Sequence, residues 1–190
     1  MTNVAIFGGS FDPPHLGHVK NVIDLLNNPE IDSIEILICF QQTGKNLSLF
    51  RHRAEMCYRT FSCFPRLSLN YLEQALGGES SSIRSLEALA KKNPTWKMRF
   101  VIGADLVPTF DSWEGSEKIK ELAPLIVMPR ENSFSSSRLR DALRSQDWER
   151  LEKSMMPRPI AYLHDNPKLY GDSIPLTKES EIKNDLALDL

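Results

Sequence analysis

A buried strand, a glycine pair, a proline turn and two histidines at the head of a helix constrain this chain more than any other stretch in it. Val4-Ala5-Ile6-Phe7 is a short apolar run of the kind that forms a buried strand. Gly8-Gly9-Ser10-Phe11-Asp12-Pro13-Pro14 follows, and then Val19, Val22, Ile23 and Leu26 recur at helical spacing. The pattern reads as strand, glycine turn, helix. Glycines at such a turn let the backbone come close to a ligand. The start of the helix offers unpaired N–H groups and the positive end of its dipole, which suits a phosphate. Asp12-Pro13-Pro14 holds the chain in a turn, so the spacing predicts a helix beginning near Leu16. His15 and His18 then stand at and just inside that start, on roughly the same face. Two imidazoles facing a phosphate pocket can donate hydrogen bonds to charge that develops in a transition state. The alternative is a structural pair, one closing the turn and one packed on the sheet.

A chain of 190 residues is one domain of ordinary size, long enough to bury a core. Its hydrophobic content of 41% and charged content of 25% are those of a soluble globular protein. A net charge of −2 argues against a nucleic-acid binder that works by bulk electrostatics. Cys39, Cys57 and Cys63 form no Cys-x-x-Cys pair, which fits reduced thiols in the cytoplasm and offers no zinc site. No apolar run reaches membrane-spanning length, and with a strand at the N-terminus no signal peptide is visible.

Residues 33–40 read as a second buried strand, so the chain opens with a strand–helix–strand crossover and hence a parallel pair. Ligands of such sheets lie beyond the carboxyl ends of the strands. Arg51-His52-Arg53 opens a helix with Met56, Cys57 and Phe61 inward. A cation at a helix N-terminus opposes the dipole, so Arg53 calls for an anionic partner, either a phosphate or a carboxylate such as Glu55. Leu67-Ser68-Leu69, residues 98–102 and residues 125–128 are further strands, and a helix opens in Ser80-Ser81-Ser82. Gly103-Ala104-Asp105 is a second glycine turn, whose aspartate can accept from vicinal hydroxyls or cap the next helix. Ser135-Ser136-Ser137 offers donors at a helix start, with Arg140 about a turn inside as a forked cation. Residues 147–170 read as two short helices.

Gly8-Gly9-Ser10-Phe11-Asp12-Pro13-Pro14-His15-Leu16-Gly17-His18 resembles the first motif of the nucleotidylyltransferase superfamily, with its His-x-Gly-His core. The Pro-Pro-His form is similar to that of the bacterial nicotinate-nucleotide adenylyltransferases, and the resemblance runs from about Val4 to Tyr170. It implies an α/β fold: a Rossmann-like open, mostly parallel sheet with helices on both faces. His15, His18 and Arg140 are implied as catalytic. Gly8, Gly9, Ser10, Phe11, Gly103, Asp105, Ser135, Ser136, Ser137 and Lys45 are implied around ATP and its phosphates. Ser82, Arg84, Trp113 and Arg53 are implied around the acceptor. In the family the aspartate matching Asp105 holds ribose hydroxyls, and the tryptophan matching Trp113 stacks on the nicotinate ring; a core tryptophan is the competing reading. Lys45 is the one match to a Pro-Pro-His-Lys loop, and an exposed loop lysine is the alternative. Arg84 stands where the family has aspartate, which bears on the preferred pyridine nucleotide unless the side chain simply points to water. Family members carry a longer segment, often with a further strand, where this chain is shortened between Pro129 and Ser135.

The expected reaction is adenylyl transfer from ATP to nicotinate mononucleotide, giving deamido-NAD and pyrophosphate. Mg²⁺ is expected as cofactor, bound mainly through the ATP phosphates, with no protein metal site. ATP and a pyridine mononucleotide are the expected partners, with neither nucleic acid nor membrane, and a homo-oligomer is left open. Nicotinamide mononucleotide or another phosphorylated acceptor is the nearest alternative, and a non-catalytic nucleotide-binding module is a further one. A tRNA synthetase fragment is disfavoured by the short chain and by the lack of a basic face and a Lys-Met-Ser-Lys-like loop. The domain is expected over residues 1–170, with residues 171–190 as a charged extension packed on this domain or a neighbour.

Overall fold

The computed structural model describes residues 1–42, 44–129 and 133–171. Arg130, in the shortened connector, and nearly all of the 171–190 extension lie outside the described residues. The strands are β1 (Thr2–Gly9), β2 (Ser33–Ile38), β3 (Leu67–Asn70), β4 (Trp96–Gly103) and β5 (Leu125–Met128). The helices are α1 (Leu16–Leu26), α2 (Phe50–Phe61), α3 (Leu72–Leu76), α4 (Ser82–Lys92), α5 (Val107–Phe110), α6 (Ser116–Leu122), α7 (Ser136–Arg144), α8 (Trp148–Glu152) and α9 (Pro157–Asp165).

The five strands form one sheet in the order β3-β2-β1-β4-β5, and every recorded pairing is parallel. Both faces of the central strand are covered, which is why Val4–Phe7 of β1 reads as an unbroken apolar run rather than an alternating one. Ala5 and Phe7 of β1 face one side with Val19, Val22 and Leu25 of α1 and Ala54, Cys57 and Phe61 of α2. Val4 and Ile6 face the other with Leu86 and Leu89 of α4, Phe110 of α5 and Ile119 of α6. A third cluster joins α7, α8 and α9 to Met56 of α2 and ends on Leu169 and Tyr170.

Two expectations about the first motif are corrected. Gly8 and Gly9 are not in the turn; they complete β1, opposite Leu37 and Ile38 of β2. Neither needs a left-handed backbone, and the residue that adopts one is Phe11, at φ 49°. Ile23 is 44% exposed, and Leu25 takes the inward place on α1.

The chain order reverses at β1, since β2 lies on one side of it and β4 on the other. Such a switch point leaves a crevice at the carboxyl ends of the strands. The β1–β4 register runs from Thr2–Trp96 to Phe7–Val101. Beyond it Gly8 and Gly9 continue against β2, while Ile102 and Gly103 continue against β5. The two central strands part there, and the site lies at that parting.

Candidate active site

A cavity of about 430 Å³ fills the parting. Gly8 and Gly9 at the end of β1, Ser10 just beyond it, Gly103 at the end of β4, Ser82 at the start of α4 and Trp113 all line it. A Cβ on Gly9 would meet the Phe11 ring at 2.9 Å, so the strand end stays bare beside that aromatic. At Gly8 the nearest contact would be the Phe100 ring at an ordinary 3.5 Å. Lys45 is the cationic side chain among the described residues that line the cavity, and Glu73 and Glu114 are the anionic ones.

Beside the cavity, the two histidines form one unit. Their rings stack at 3.7 Å between centroids, 16° apart. The His15 N–H donates to His18 Nδ1 at 3.1 Å. A neutral His18 whose Nδ1 accepts carries its proton on Nε2, so this single backbone contact sets the tautomer that makes Nε2–H a donor. His15 occupies the N-cap of α1 with extended backbone, as the Asp-Pro-Pro turn predicts.

The start of α7 sits against this unit. Ser136 Oγ donates to the Pro13 carbonyl at 2.9 Å, and Arg140 Nη1 donates to the Asp12 carbonyl at 2.7 Å. Arg140 Nη2 also reaches Ser137 Oγ at 3.2 Å. The Phe134 ring stacks on His15 at 6.2 Å. Gly17 makes room for this contact, because a Cβ there would lie 3.1 Å from both the His15 ring and Phe134 Cβ. Ser135 is the N-cap residue of α7, but its side chain makes no capping hydrogen bond. Residues 123 and 128 positions apart therefore converge on one anion-ready corner: two imidazoles, one guanidinium and a serine-rich helix start.

Other expected residues are placed differently. Arg53 does not face an acceptor. Its guanidinium is buried and donates to the carbonyls of Ser48, Ser10, Cys39 and Phe40. Burial pulls its pKa down, and the nearby Asp12 carboxylate pulls it back up. The expected alternative partner, Glu55, is paired with Arg59 instead. Arg84 neither points to water nor into the cavity, since Nη2 donates to the Gly77 and Glu79 carbonyls at 2.7 Å each. The Phe11 side chain is core, packed edge-on against Phe7, Phe61 and His18. Asp105 is exposed beside Gly103, and the N-cap of α5 is Leu106 rather than Asp105. Trp113 satisfies both readings, resting on Phe110 at 5.3 Å while lining the cavity.

Three residues of the site escaped sequence reasoning. Asp12 looks like a turn former, yet its carboxylate is buried and accepts from Ser48 N–H, Ser48 Oγ and Tyr170 OH. Glu73 is a buried carboxylate in the cavity wall, on a helix too short to show periodicity. Cys39 lines the cavity as a thiol that donates to Ser80 Oγ and whose pKa burial raises.

A parallel sheet with a switch-point crevice, a histidine pair on the first helix and an arginine on a late one defines a nucleotidyltransferase. The chain belongs to the cytidylyltransferase-like family, which it matches over residues 6–167. It is 32% identical to a protein of Anaeromyxobacter dehalogenans named as a probable nicotinate-nucleotide adenylyltransferase, over 67% of this chain and 71% of that one. A Gemmatimonas aurantiaca protein of the same name is 29% identical, and there the match spans 67% of this chain and 62% of the relative. Among solved structures, the Plasmodium falciparum nicotinic acid mononucleotide adenylyltransferase complexed with NaAD superposes with a TM-score of 0.74. That pair is 25% identical, and the alignment covers 90% of this chain and 98% of the other. Among the described residues, no helix is long and apolar enough to cross a membrane.

Proposed function

We propose that this chain is a nicotinate-nucleotide adenylyltransferase, moving AMP from ATP to nicotinate mononucleotide with release of pyrophosphate. The observation that carries the reading is the joint between the stacked His15–His18 pair and the start of α7, placed beside a cavity large enough for a nucleotide. The names carried by the relatives support the same reading.

In this reading the 5′-phosphate of the acceptor attacks the α-phosphorus in line, and pyrophosphate departs on the opposite side. Such a transfer needs mainly positioning and stabilisation of spreading negative charge. His18 Nε2–H donates to the α-phosphate oxygens as that charge develops. Arg140 and the N–H groups that open α7 hold the leaving pyrophosphate. The Asp12 carbonyl and Ser137 hydroxyl already orient the guanidinium, so little freedom is lost on binding. Asp105, at the end of β4, takes the ribose hydroxyls, and Trp113 carries the pyridine ring. Among the described residues no group of three or more His, Cys, Asp or Glu could hold a metal. Mg²⁺ arriving with ATP would supply charge neutralisation at the phosphates.

A second reading, with nicotinamide mononucleotide as acceptor, draws on one specific observation. Two carboxylates, Glu73 and Glu114, line the cavity, and Arg84 is engaged with loop carbonyls instead of awaiting a carboxylate. Labelled ATP tests the reaction type: label at the α-phosphorus should pass to a dinucleotide product, and label at the γ-phosphorus should leave as pyrophosphate. Label from both positions in free phosphate would contradict adenylyl transfer.

A further inference from the structure

We propose that Glu73 is a positioning residue for the acceptor, holding two segments that line the cavity, the exit of β2 and the entry of α4, in fixed register and so setting the affinity for the pyridine nucleotide. The inference rests on the reading of the cavity as the acceptor site.

Glu73 opens the first turn of α3 and is 5% exposed. Glutamate is almost never this buried unless it is fully partnered, because desolvating a carboxylate is expensive. An apolar side chain would fill the same space without that penalty. The carboxylate instead collects three donors from separate segments. Phe40 N–H reaches Oε2 at 3.1 Å, Ser80 Oγ also donates to Oε2, and Ser85 Oγ donates to Oε1 at 2.9 Å.

Ser80 extends the link. Its Oγ accepts from Phe40 N–H at 3.0 Å and from Gln41 N–H at 3.2 Å, while Ser80 N–H donates to the Gln41 carbonyl at 2.8 Å. Cys39 and Gln42, after β2, and Ser80, Ser81 and Ser82, at the entry of α4, all line the cavity. Glu73 and Ser80 are therefore the rivet between the exit of β2 and the entry of α4. The opposite edge of the same peptide segment is held by Arg53, whose guanidinium takes the carbonyls of Cys39 and Phe40. The corner is clamped by a buried anion on its N–H side and a buried cation on its C=O side. Arg53 also holds Ser10, so the clamp fixes these segments relative to the strand end that faces the phosphates.

Glu73→Gln keeps the size of the side chain but replaces an acceptor oxygen with an NH₂ that faces donors. The expected result is a KM for nicotinate mononucleotide raised about tenfold or more, with KM for ATP and kcat within about threefold of wild type. Ser85→Ala, which removes one of the donors to this carboxylate, should give a smaller shift in the same direction. Should Glu73→Gln not fold, Ser80→Ala carries the same comparison from the other half of the rivet. A folded variant with a lowered Tm but unchanged acceptor KM, or with both KM values moving together, overturns the proposal. An active wild type with an indifferent Glu73→Gln removes this inference alone. A wild type inert with every pyridine mononucleotide removes the functional reading and this inference with it.

Discussion

The phenol of Tyr170 donates to Asp12 Oδ1 at 2.7 Å, joining the end of the described chain to the loop that presents the histidines. Both groups are buried, and the same carboxylate accepts the Ser48 N–H at 3.0 Å. The Asp12 carbonyl meanwhile takes Arg140. One aspartate thus fixes the turn before His15 and holds the Arg140 guanidinium beside it.

Tyr170→Phe should destabilise the fold by about 1–3 kcal/mol, the usual effect of removing a partner from a buried polar group. Denaturant unfolding measures it. Burial, with the Asp12 charge second, raises the Tyr170 pKa well above its ordinary value of 10.0. Above that pH the unfolded chain releases this proton while the folded chain keeps it, so the unfolded state binds fewer protons and stability falls as pH rises. Tyr170→Phe should lack that part of the alkaline decline. A variant as stable as wild type at neutral pH and equally alkali-sensitive would contradict the assignment.

Arg53→Lys should fail as a conservative change. An ammonium has three donors on a flexible stem and cannot reproduce a planar fork bonded to four carbonyls in three segments, at Ser10, Cys39–Phe40 and Ser48. The expected loss is at least about 2–4 kcal/mol, from carbonyls left without donors in a buried site. A melting temperature within a degree or two of wild type would show that the fan of hydrogen bonds contributes little.

The two glycines of the first motif should respond differently. Gly9→Ala pushes a methyl group into the Phe11 ring, and overpacking of this kind typically costs about 1–3 kcal/mol. Gly8→Ala meets only ordinary contact but narrows the cavity, so it should keep its stability and lose activity. Unfolding and turnover measured on the same two preparations separate the effects.

His18→Ala should lower kcat by about 10²–10³, as loss of one preorganised donor does elsewhere, while circular dichroism stays native. Folded protein with near-normal turnover would remove His18 from the chemistry.

Much of this was legible in the chain because both faces of the central strand are buried. An unbroken apolar run announces such a strand, and Val4-Ala5-Ile6-Phe7 is the buried centre of β1 as expected. The eleven-residue motif announced the histidine pair, and Ser136 and Arg140 hydrogen-bond to the carbonyls of the turn that precedes it. What stayed hidden depends on distant or backbone partners. Arg53 reads as a misplaced cation because its four acceptors are carbonyls, which carry no side-chain signal. Asp12 reads as a turn former because its phenol donor lies 158 residues away. Gly8 and Gly9 read as a turn because glycine disfavours strands, but the crowding of Phe11 and the open cavity outweigh that preference here. Glu73 carries no periodic cue at all on a helix of five residues.

Pyrophosphate release from ATP and Mg²⁺, with nicotinate mononucleotide and nicotinamide mononucleotide compared at equal concentration, tests the central claim most directly. The account expects rapid release with the acid and at least about tenfold lower kcat/KM with the amide. Preference for the amide would keep the chemistry and overturn the acceptor. Tight ATP binding with no release for either would contradict the account, leaving a nucleotide-binding protein that performs no transfer.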